Sequence, residues 1–180
     1  MRFMKGRLLM LVALLCFTIH SEANPDESSQ DGITVYIFLH DACVISQYYT
    51  LPLREIHEQY ANDSIRFVGL FPNFSSKKEK IEAFKEKYKI PFELKTDYFH
   101  TKTKAFGATV TPEVVVYNES TKEILYQGRI DNSFFQVGKR RRVTTTSELK
   151  DVLEAISNNQ PIPIAETEAI GCLIEKNKLK

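Results

Sequence analysis

Hydrophobic residues fall along this chain in blocks whose spacing is first that of a strand and then that of a helix. An almost unbroken apolar run from Ile33 to Leu39 ends at a polar pair, which predicts a strand buried on both faces of a sheet. Residues 44–60 carry apolar side chains at roughly the helical period, and residues 65–71 predict a second buried strand. The first half of the chain therefore predicts an α/β domain.

Shorter elements are predicted in the middle of the chain. Residues 76–79 match a capping box, and the helix expected after them carries apolar side chains on one face and charged ones on the other. An extended segment at residues 90–94 and a short helix at residues 99–106 follow. The lysine-rich face of the first of these helices is interpreted as solvated rather than as a binding patch.

A second strand region begins at a proline. Pro112 stands directly before a run of β-branched residues, and because proline cannot donate to a strand ladder it belongs at the start of that strand. Residues 118–122 predict a turn and residues 124–130 the next strand. The two strands together predict a β-hairpin at one edge of the sheet.

The last third of the chain predicts a loop, a helix and a tail. Residues 131–146 read as a long loop that contains the basic cluster Lys139–Arg142, which we interpret as solvated. Residues 145–148 match a second capping box, and the helix expected from there ends near residue 160. The tail, residues 161–180, carries apolar side chains that need a surface to cover.

The N-terminus has the pattern of a secretory signal. Arg2, Lys5 and Arg7 precede an apolar run at residues 8–17, and small residues at 21–23 suit a signal peptidase. The run is short for a membrane span, which needs about 20 apolar residues, although an uncleaved anchor is the alternative. We expect residues 1–23 to be a signal peptide and residues 24–31 a flexible lead-in. The protein is then exported, periplasmic or extracellular, with no stable membrane insertion after cleavage.

Composition narrows the chemistry. The formal net charge is +1, so nothing global favours nucleic acid as a partner. Cleavage after Ala23 removes Cys16 and leaves Cys43 and Cys172, which in an oxidising compartment form either a structural disulfide or a redox pair. No zinc-ligand spacing is present, and we expect neither a metal nor a cofactor.

Cys43 is the candidate nucleophile. It follows the predicted strand at residues 33–39 and stands where the next helix begins. A helix N-terminus stabilises negative charge, so this position favours the thiolate, which is the nucleophilic form of cysteine. The alternative is a buried cysteine that behaves as a small hydrophobic residue.

These features resemble the thioredoxin-like superfamily. An aromatic residue, Phe38, stands five positions ahead of Cys43, and Cys43-Val-Ile-Ser46 takes the place of the usual Cys-x-x-Cys. Thr111-Pro112 matches the cis-proline that this superfamily packs against its reactive cysteine. The resemblance implies a thioredoxin-like fold over residues 32–160, with a central mixed β-sheet flanked by helices and an additional C-terminal tail that packs on the domain.

A narrower resemblance is to a group of exported bacterial redoxin-domain proteins related to alkyl hydroperoxide reductase and thiol-specific antioxidant. It rests on Thr111-Pro112-Glu113, on the Gly-Arg-Ile-Asp segment at residues 128–131, and on Gly171-Cys172. The chemistry it implies is thiol–disulfide exchange with protein or small-molecule thiols and disulfides. Cys43 would attack, Ser46 would hydrogen-bond the thiolate, Cys172 would resolve the intermediate, and Thr111 and Pro112 would shape the substrate groove.

Three other functions stay open. In the first of these functions, the protein is a non-catalytic binding or scaffold module, and Cys43 and Cys172 form a structural disulfide that fixes its tail. A thiol peroxidase is disfavoured because the residues before Cys43 lack the proline and hydroxyl residue that a peroxiredoxin site needs, although Arg129 offers a cation. Copper binding would need His40 or His100 beside Cys43, and it lacks the second cysteine of the metallochaperone pattern.

Overall fold

The computed structural model of the chain describes residues 32–175. The predicted signal peptide and lead-in, residues 1–31, lie outside this range, as do residues 176–180 of the tail. Within the described range, no helix is long and apolar enough to cross a membrane.

The described residues form strands and helices in an order close to the predicted one. In chain order the elements are β1 (Ile33–Phe38), α1 (Val44–Tyr60), β2 (Ile65–Phe71), α2 (Lys78–Tyr88), β3 (Glu93–Thr96), α3 (Thr101–Phe106), β4 (Val110–Thr111), β5 (Glu113–Asn118), β6 (Glu123–Gly128), β7 (Phe134–Gln136), β8 (Lys139–Arg140), α4 (Glu148–Ser157) and β9 (Cys172–Leu173). The predicted bounds of α1 and β2 are confirmed residue for residue.

Five of the strands form the central sheet, in the order β3-β2-β1-β5-β6. β1 pairs in parallel with β2, and β2 with β3, whereas β5 is antiparallel to both β1 and β6. β1 lies in the middle because its side chains are apolar on both faces, which suits a strand covered from both sides. The predicted α/β class with a central mixed sheet is confirmed.

The two faces of the sheet carry separate apolar clusters. Alternate residues of β1, Val35 and Ile37, join the main core, to which α1, α2 and α4 contribute their buried faces. The intervening residues, Tyr36 and Phe38, point to the other face and pack with Phe106 of α3. This alternation follows from the period of two in a strand. Helices therefore flank the sheet, and the end of β1 is held rigidly where Cys43 follows it.

Neither predicted capping box forms, because its residues bind elsewhere. α2 begins at Lys78 without a side-chain cap, and the hydroxyl of Ser76 instead donates to the carboxylate of Asp41. α4 begins at Glu148, also without a side-chain cap, and the Thr145 hydroxyl accepts from Asn132. Both predictions placed the helix start too early in the chain.

Two further segments differ from their predictions. An extended segment was predicted at residues 90–94, whereas the strand lies at Glu93–Thr96, where it pairs with β2. The loop predicted at residues 131–146 contains the short β7–β8 hairpin, with the basic cluster Lys139–Arg142 exposed on it. The guanidinium of Arg140 lies 5.0 Å from the centre of the Tyr48 ring, which ties the hairpin to α1.

Candidate functional site

Cys43 occupies the N-cap position of α1. Its backbone is extended, its N–H donates to the carbonyl of His40 at 3.1 Å, and its carbonyl accepts from the N–H of Gln47 at 2.9 Å. The residue is 2 % exposed. Because the first N–H groups of a helix have no partner within the helix, the Cys43 sulfur sits at the positive end of α1. The predicted placement of Cys43 between a buried strand and a helix is therefore observed.

A disulfide joins Cys43 to Cys172. The two Cα atoms are 6.2 Å apart, although the residues are separated by 129 positions in the sequence. Cys172 belongs to β9, which pairs antiparallel with β4 in the register Val110 opposite Leu173 and Thr111 opposite Cys172. The fold thus brings together the two cysteines that the sequence singled out.

Thr111 and Pro112 form the wall beside the disulfide. The peptide bond between them is cis, as predicted, and both residues are buried. The Cys43 sulfur lies 3.2 Å from the carbonyl oxygen of Thr111, and the Thr111 hydroxyl donates to the carbonyl of Cys172 at 3.3 Å. Pro112 lines a small cleft together with Tyr49 and Ile170 of the tail. Thr111 therefore contacts both halves of the disulfide.

Ser46 lies in the first turn of α1 and is fully buried. Its hydroxyl oxygen accepts a hydrogen bond from the backbone N–H of His40 at 3.3 Å, which fixes the loop between β1 and the helix. A hydrogen bond from Ser46 to a Cys43 thiolate stays a prediction.

The tail is fastened to the domain at two places. Near residue 166 it runs beside β6, where the N–H of Gln127 donates to Ala165 and the N–H of Thr167 donates back to Gln127, both at 2.9 Å. Near residue 174 it runs beside β4, where the N–H of Ile174 donates to the carbonyl of Thr109 at 2.9 Å. The tail therefore crosses the domain from one edge strand to the cis-proline loop.

Thr167 is the anchor of the first attachment. Its hydroxyl oxygen accepts from the N–H of Arg129 at 3.1 Å and lies 2.7 Å from the hydroxyl of Tyr126. The Tyr126 hydroxyl donates its one hydrogen bond to the carbonyl of Arg129. The Thr167 hydroxyl must therefore be the donor to the Tyr126 oxygen. Burial raises the pKa of Tyr126 to about 12. A Cβ on Gly128 would lie 2.2 Å from the Thr167 hydroxyl, so this position requires glycine.

Two polar residues that sequence reasoning missed shape the second attachment. The buried carboxylate of Glu113 accepts from the N–H of Thr109 at 3.0 Å and from the side chain of Gln127 at 2.6 Å, which holds the segment before the cis-proline in place. The buried side chain of Asn73 accepts from the N–H of Glu175 at 3.2 Å. A glutamate at the start of a buried strand was the signal available for Glu113.

The histidines considered for copper are engaged in hydrogen bonds. His40 lies 3.3 Å from the amide of Asn73 and 3.2 Å from the hydroxyl of Ser75. His100 is buried, and its Nε2 lies 3.1 Å from the carbonyl of Pro72. Nowhere in residues 32–175 do three His, Cys, Asp or Glu side chains converge as a metal site would require. The geometry gives the copper reading no support.

Arg129, the cation considered for peroxide chemistry, is paired with Glu148. Its Nε donates to the Glu148 carboxylate at 3.0 Å, and a second nitrogen of the guanidinium contacts the same oxygen. Burial favours the neutral acid, but hydrogen bonds from Arg129 and Thr146 outweigh it and hold the pKa of Glu148 below its usual value. The guanidinium is thus committed to a structural ion pair rather than aimed at Cys43.

Comparison with known proteins gives matches in structure alone. No family model and no curated protein matches the sequence. The crystal structure of an uncharacterized conserved protein from Geobacillus kaustophilus matches with a TM-score of 0.72 and 21% identity, covering 83% of this chain and 80% of that chain. A hypothetical protein from Sinorhizobium meliloti matches with a TM-score of 0.71 and 20% identity, covering 83% and 82%. StoA from Bacillus subtilis matches with a TM-score of 0.49 and 16% identity, covering 67% and 81%.

The architecture agrees with the resemblance noted in the sequence. Cys43 lies between β1 and α1 of a β1-α1-β2 unit, the sheet continues from parallel β1 and β2 into the antiparallel pair β5 and β6, and the carbonyl before a cis-proline lies beside the cysteine sulfur. The chain therefore has the thioredoxin-like fold.

Proposed function

We propose that the protein is an exported thiol–disulfide oxidoreductase of the cell envelope, in which Cys43 is the nucleophile and Cys172 the resolving cysteine. The observation that supports this most is the disulfide itself. It links a cysteine at a helix N-terminus with a cysteine on a strand that pairs with the residue before the cis-proline. Export is proposed from the signal-like N-terminus, and it suits a protein that carries a disulfide.

The proposed reaction is a two-step exchange that starts from the reduced protein. The Cys43 thiolate attacks one sulfur of a substrate disulfide, forms a mixed disulfide and releases the other substrate sulfur as a thiolate. The Cys172 thiolate then attacks the Cys43 sulfur, which forms the Cys43–Cys172 disulfide and releases the second substrate thiolate. The substrate gains two electrons and the cysteine pair loses two. A thiol reductant returns the pair to its reduced form.

The geometry favours Cys43 as the leaving group in that return step. Cys43 is 2 % exposed, whereas Cys172 lies on a partly exposed strand. An incoming thiolate therefore reaches the Cys172 sulfur more easily, and Cys43 departs as a thiolate at the positive end of α1. A stabilised leaving group speeds exchange.

The test is the redox state of the pair in the mature protein. We expect intact mass, measured with and without alkylation across a glutathione redox series, to show the Cys43–Cys172 disulfide opening within the range that glutathione spans. The Cys172→Ser variant should form a stable adduct with glutathione at Cys43, and the Cys43→Ser variant should form less adduct at Cys172. A Cys43–Cys172 disulfide that stays closed at reduction potentials below about −300 mV would contradict the proposal.

That contrary result would favour a non-catalytic module with a structural disulfide. The observation on its side is that the bond closes a loop of 129 residues and buries Cys43 beneath the tail. In that case the Cys43→Ser and Cys172→Ser variants lose the same amount of stability. The remaining cysteine of each variant then reacts with small disulfides no faster than a cysteine in an unfolded chain does. Comparing each variant before and after denaturation separates the two functions.

A further inference from the structure

β4 has only the tail as a strand partner among the described residues. It lies outside the five-stranded sheet, and its two residues form a separate two-stranded sheet with β9. Without the tail, the backbone groups that face β9 would form an open strand edge beside the Cys43 sulfur. Open edges accept extended chains by adding a strand.

We infer that residues 170–174 are an internal stand-in for the substrate, and that opening the Cys43–Cys172 disulfide frees β4 to bind an extended peptide in which glycine precedes the cysteine. This inference rests on the proposed thiol–disulfide exchange. It adds to that function a class of substrate and the rule by which the site selects it.

The selection rule comes from Gly171. A Cβ built on Gly171 would lie 2.3 Å from the carbonyl oxygen of Thr111 and 2.6 Å from its carbonyl carbon. These are backbone atoms of a buried residue next to the cis-proline, so they cannot move aside as the end of a flexible side chain would. The glycine is needed for space, since its φ does not lie in the left-handed region. Any chain that follows the same path must have glycine before its cysteine.

The other tail positions extend the rule. Ile170 packs against the main core, and Ile174 packs against the second cluster on the opposite face of the sheet. Leu173, between Cys172 and Ile174, is 77 % exposed and touches little. The site thus selects an apolar residue, glycine and cysteine, then any residue, then a second apolar residue.

The tail is built so that this segment leaves while the rest stays. Residues 165–167 are held on β6 by backbone hydrogen bonds and by the Thr167 hydroxyl, independently of the disulfide. Beyond them, residues 172–175 are partly or fully exposed and are held beside the disulfide by hydrogen bonds to Thr109, Thr111 and Asn73. Segments with little buried surface open at low cost in free energy. Reduction therefore releases a short flap that stays tethered beside the site.

Tail and substrate then compete for one strand edge. When Cys172 attacks the mixed disulfide between Cys43 and the peptide, a new sulfur–sulfur bond forms at Cys43 and the peptide leaves as a thiolate. Because β9 re-forms on β4 in the same step, the peptide loses its hydrogen bonds as it loses its covalent bond. Product release is coupled to resolution.

The test uses full-length Cys172→Ser protein and short peptides whose cysteine carries thionitrobenzoate. The probe peptide is Ile-Gly-Cys-Leu-Ile, compared with Ile-Ala-Cys-Leu-Ile and Ile-Gly-Cys-Ala-Ile, and the rate of thionitrobenzoate release measures exchange. We expect the alanine before cysteine to slow the reaction by about tenfold or more, because it overpacks the site. The alanine after cysteine should change the rate by less than about twofold, in keeping with a surface position. Free cysteine in place of the protein corrects for the intrinsic reactivity of each peptide.

A second pair of variants tests the flap. Gly171→Ala combined with Cys172→Ser should drive the tail off β4 and speed the reaction with Ile-Gly-Cys-Leu-Ile severalfold. Glu168→Ala combined with Cys172→Ser, an exposed change in the same tail, should react like Cys172→Ser alone. Hydrogen exchange on the unaltered chain is the companion measurement. Reduction should expose the amide of Ile174 while the amides of β1 stay protected.

The outcomes separate this inference from the proposed function. Equal rates for the glycine and alanine peptides, with normal reactivity toward a small aromatic disulfide, would overturn the inference and leave the function standing. No reaction of Cys43 with any disulfide would overturn the function itself. An unchanged rate in the Gly171→Ala variant would show that the tail does not occupy the peptide site.

Discussion

Opening the Cys43–Cys172 disulfide should lower the stability of the domain by an amount that depends on pH. The bond closes a loop of 129 residues. In the chain-entropy model a loop of this length contributes about 5 kcal/mol by restricting the unfolded chain. If nothing in the reduced folded protein compensates, the free energy of unfolding falls by that amount on reduction.

The helix N-terminus supplies compensation, but only when Cys43 is ionised. A charge at the positive end of a helix gains about 1–2 kcal/mol when it is partly buried. The reduced folded protein therefore gains stability as Cys43 loses its proton, and the gap between the oxidised and reduced forms narrows. The full gain is reached only above the ordinary thiol pKa of about 8.5, so we expect a gap of about 5 kcal/mol near pH 5 and of about 3–4 kcal/mol near pH 9.

The assay is urea unfolding of the oxidised and the phosphine-reduced protein at both pH values. Groups that titrate in both forms, such as Glu148, cancel in the difference, so what remains reports on the two thiols. The Cys172→Ser variant keeps the thiol at Cys43 and should become relatively more stable at the higher pH than the Cys43→Ser variant. A gap of about 5 kcal/mol at both pH values would refute stabilisation of the thiolate. A gap near zero at pH 5 would refute the chain-entropy estimate.

Three further predictions concern the surrounding structure. Arg129→Met should cost about 3 kcal/mol in urea unfolding, because it leaves the buried Glu148 carboxylate unpaired. The pKa of Glu148 is lowered in the folded protein, so its contribution should be present above about pH 4 and be lost on further acidification, whereas the Arg129→Met variant should gain stability as the pH falls. Thr167→Val should cost about 1–3 kcal/mol and speed hydrogen exchange in the tail, since two hydrogen bonds lose their partner; an unchanged exchange rate would contradict this. Leu53→Ala, at a fully buried position, should cost about 2–5 kcal/mol in thermal unfolding, and Leu51→Ala, at a site 55 % exposed on the same helix, should change stability by less than about 0.5 kcal/mol.

The central elements could be predicted because their patterns extend over many residues. The run from Ile33 to Leu39 is apolar on both faces, and the observed burial of β1 is the direct consequence. The apolar side chains of α1 recur at the helical period over all 17 residues, and this pattern predicted both ends of the helix correctly. The cis-proline was predicted from the family resemblance, whereas the position of Cys43 came from the strand and helix patterns on either side of it.

The pairing at the site could not be predicted, because β4 and β9 have two residues each. Two residues carry no period, and their partnership is decided by contacts that span 61 positions, such as the one from Thr111 to Cys172. The capping boxes failed for a related reason. Ser76 and Glu148 match the capping-box motif, but their side chains bind Asp41 and Arg129, which are distant in the sequence, instead of capping their helices.

The position of the two cysteines also sets an order of events during biosynthesis. Cys43 leaves the ribosome 129 residues before Cys172, a delay of about 6–26 s at ordinary rates of synthesis. The five strands of the central sheet all lie before residue 129, so they can pair while the tail has yet to appear. A newly made domain therefore passes through a stage in which the sheet is complete, Cys43 is a free thiol, and β4 has no partner. The tail closes last, on a surface that is already folded, and until then Cys43 of the nascent chain can attack a disulfide of another molecule, form a mixed disulfide with it and release a thiolate.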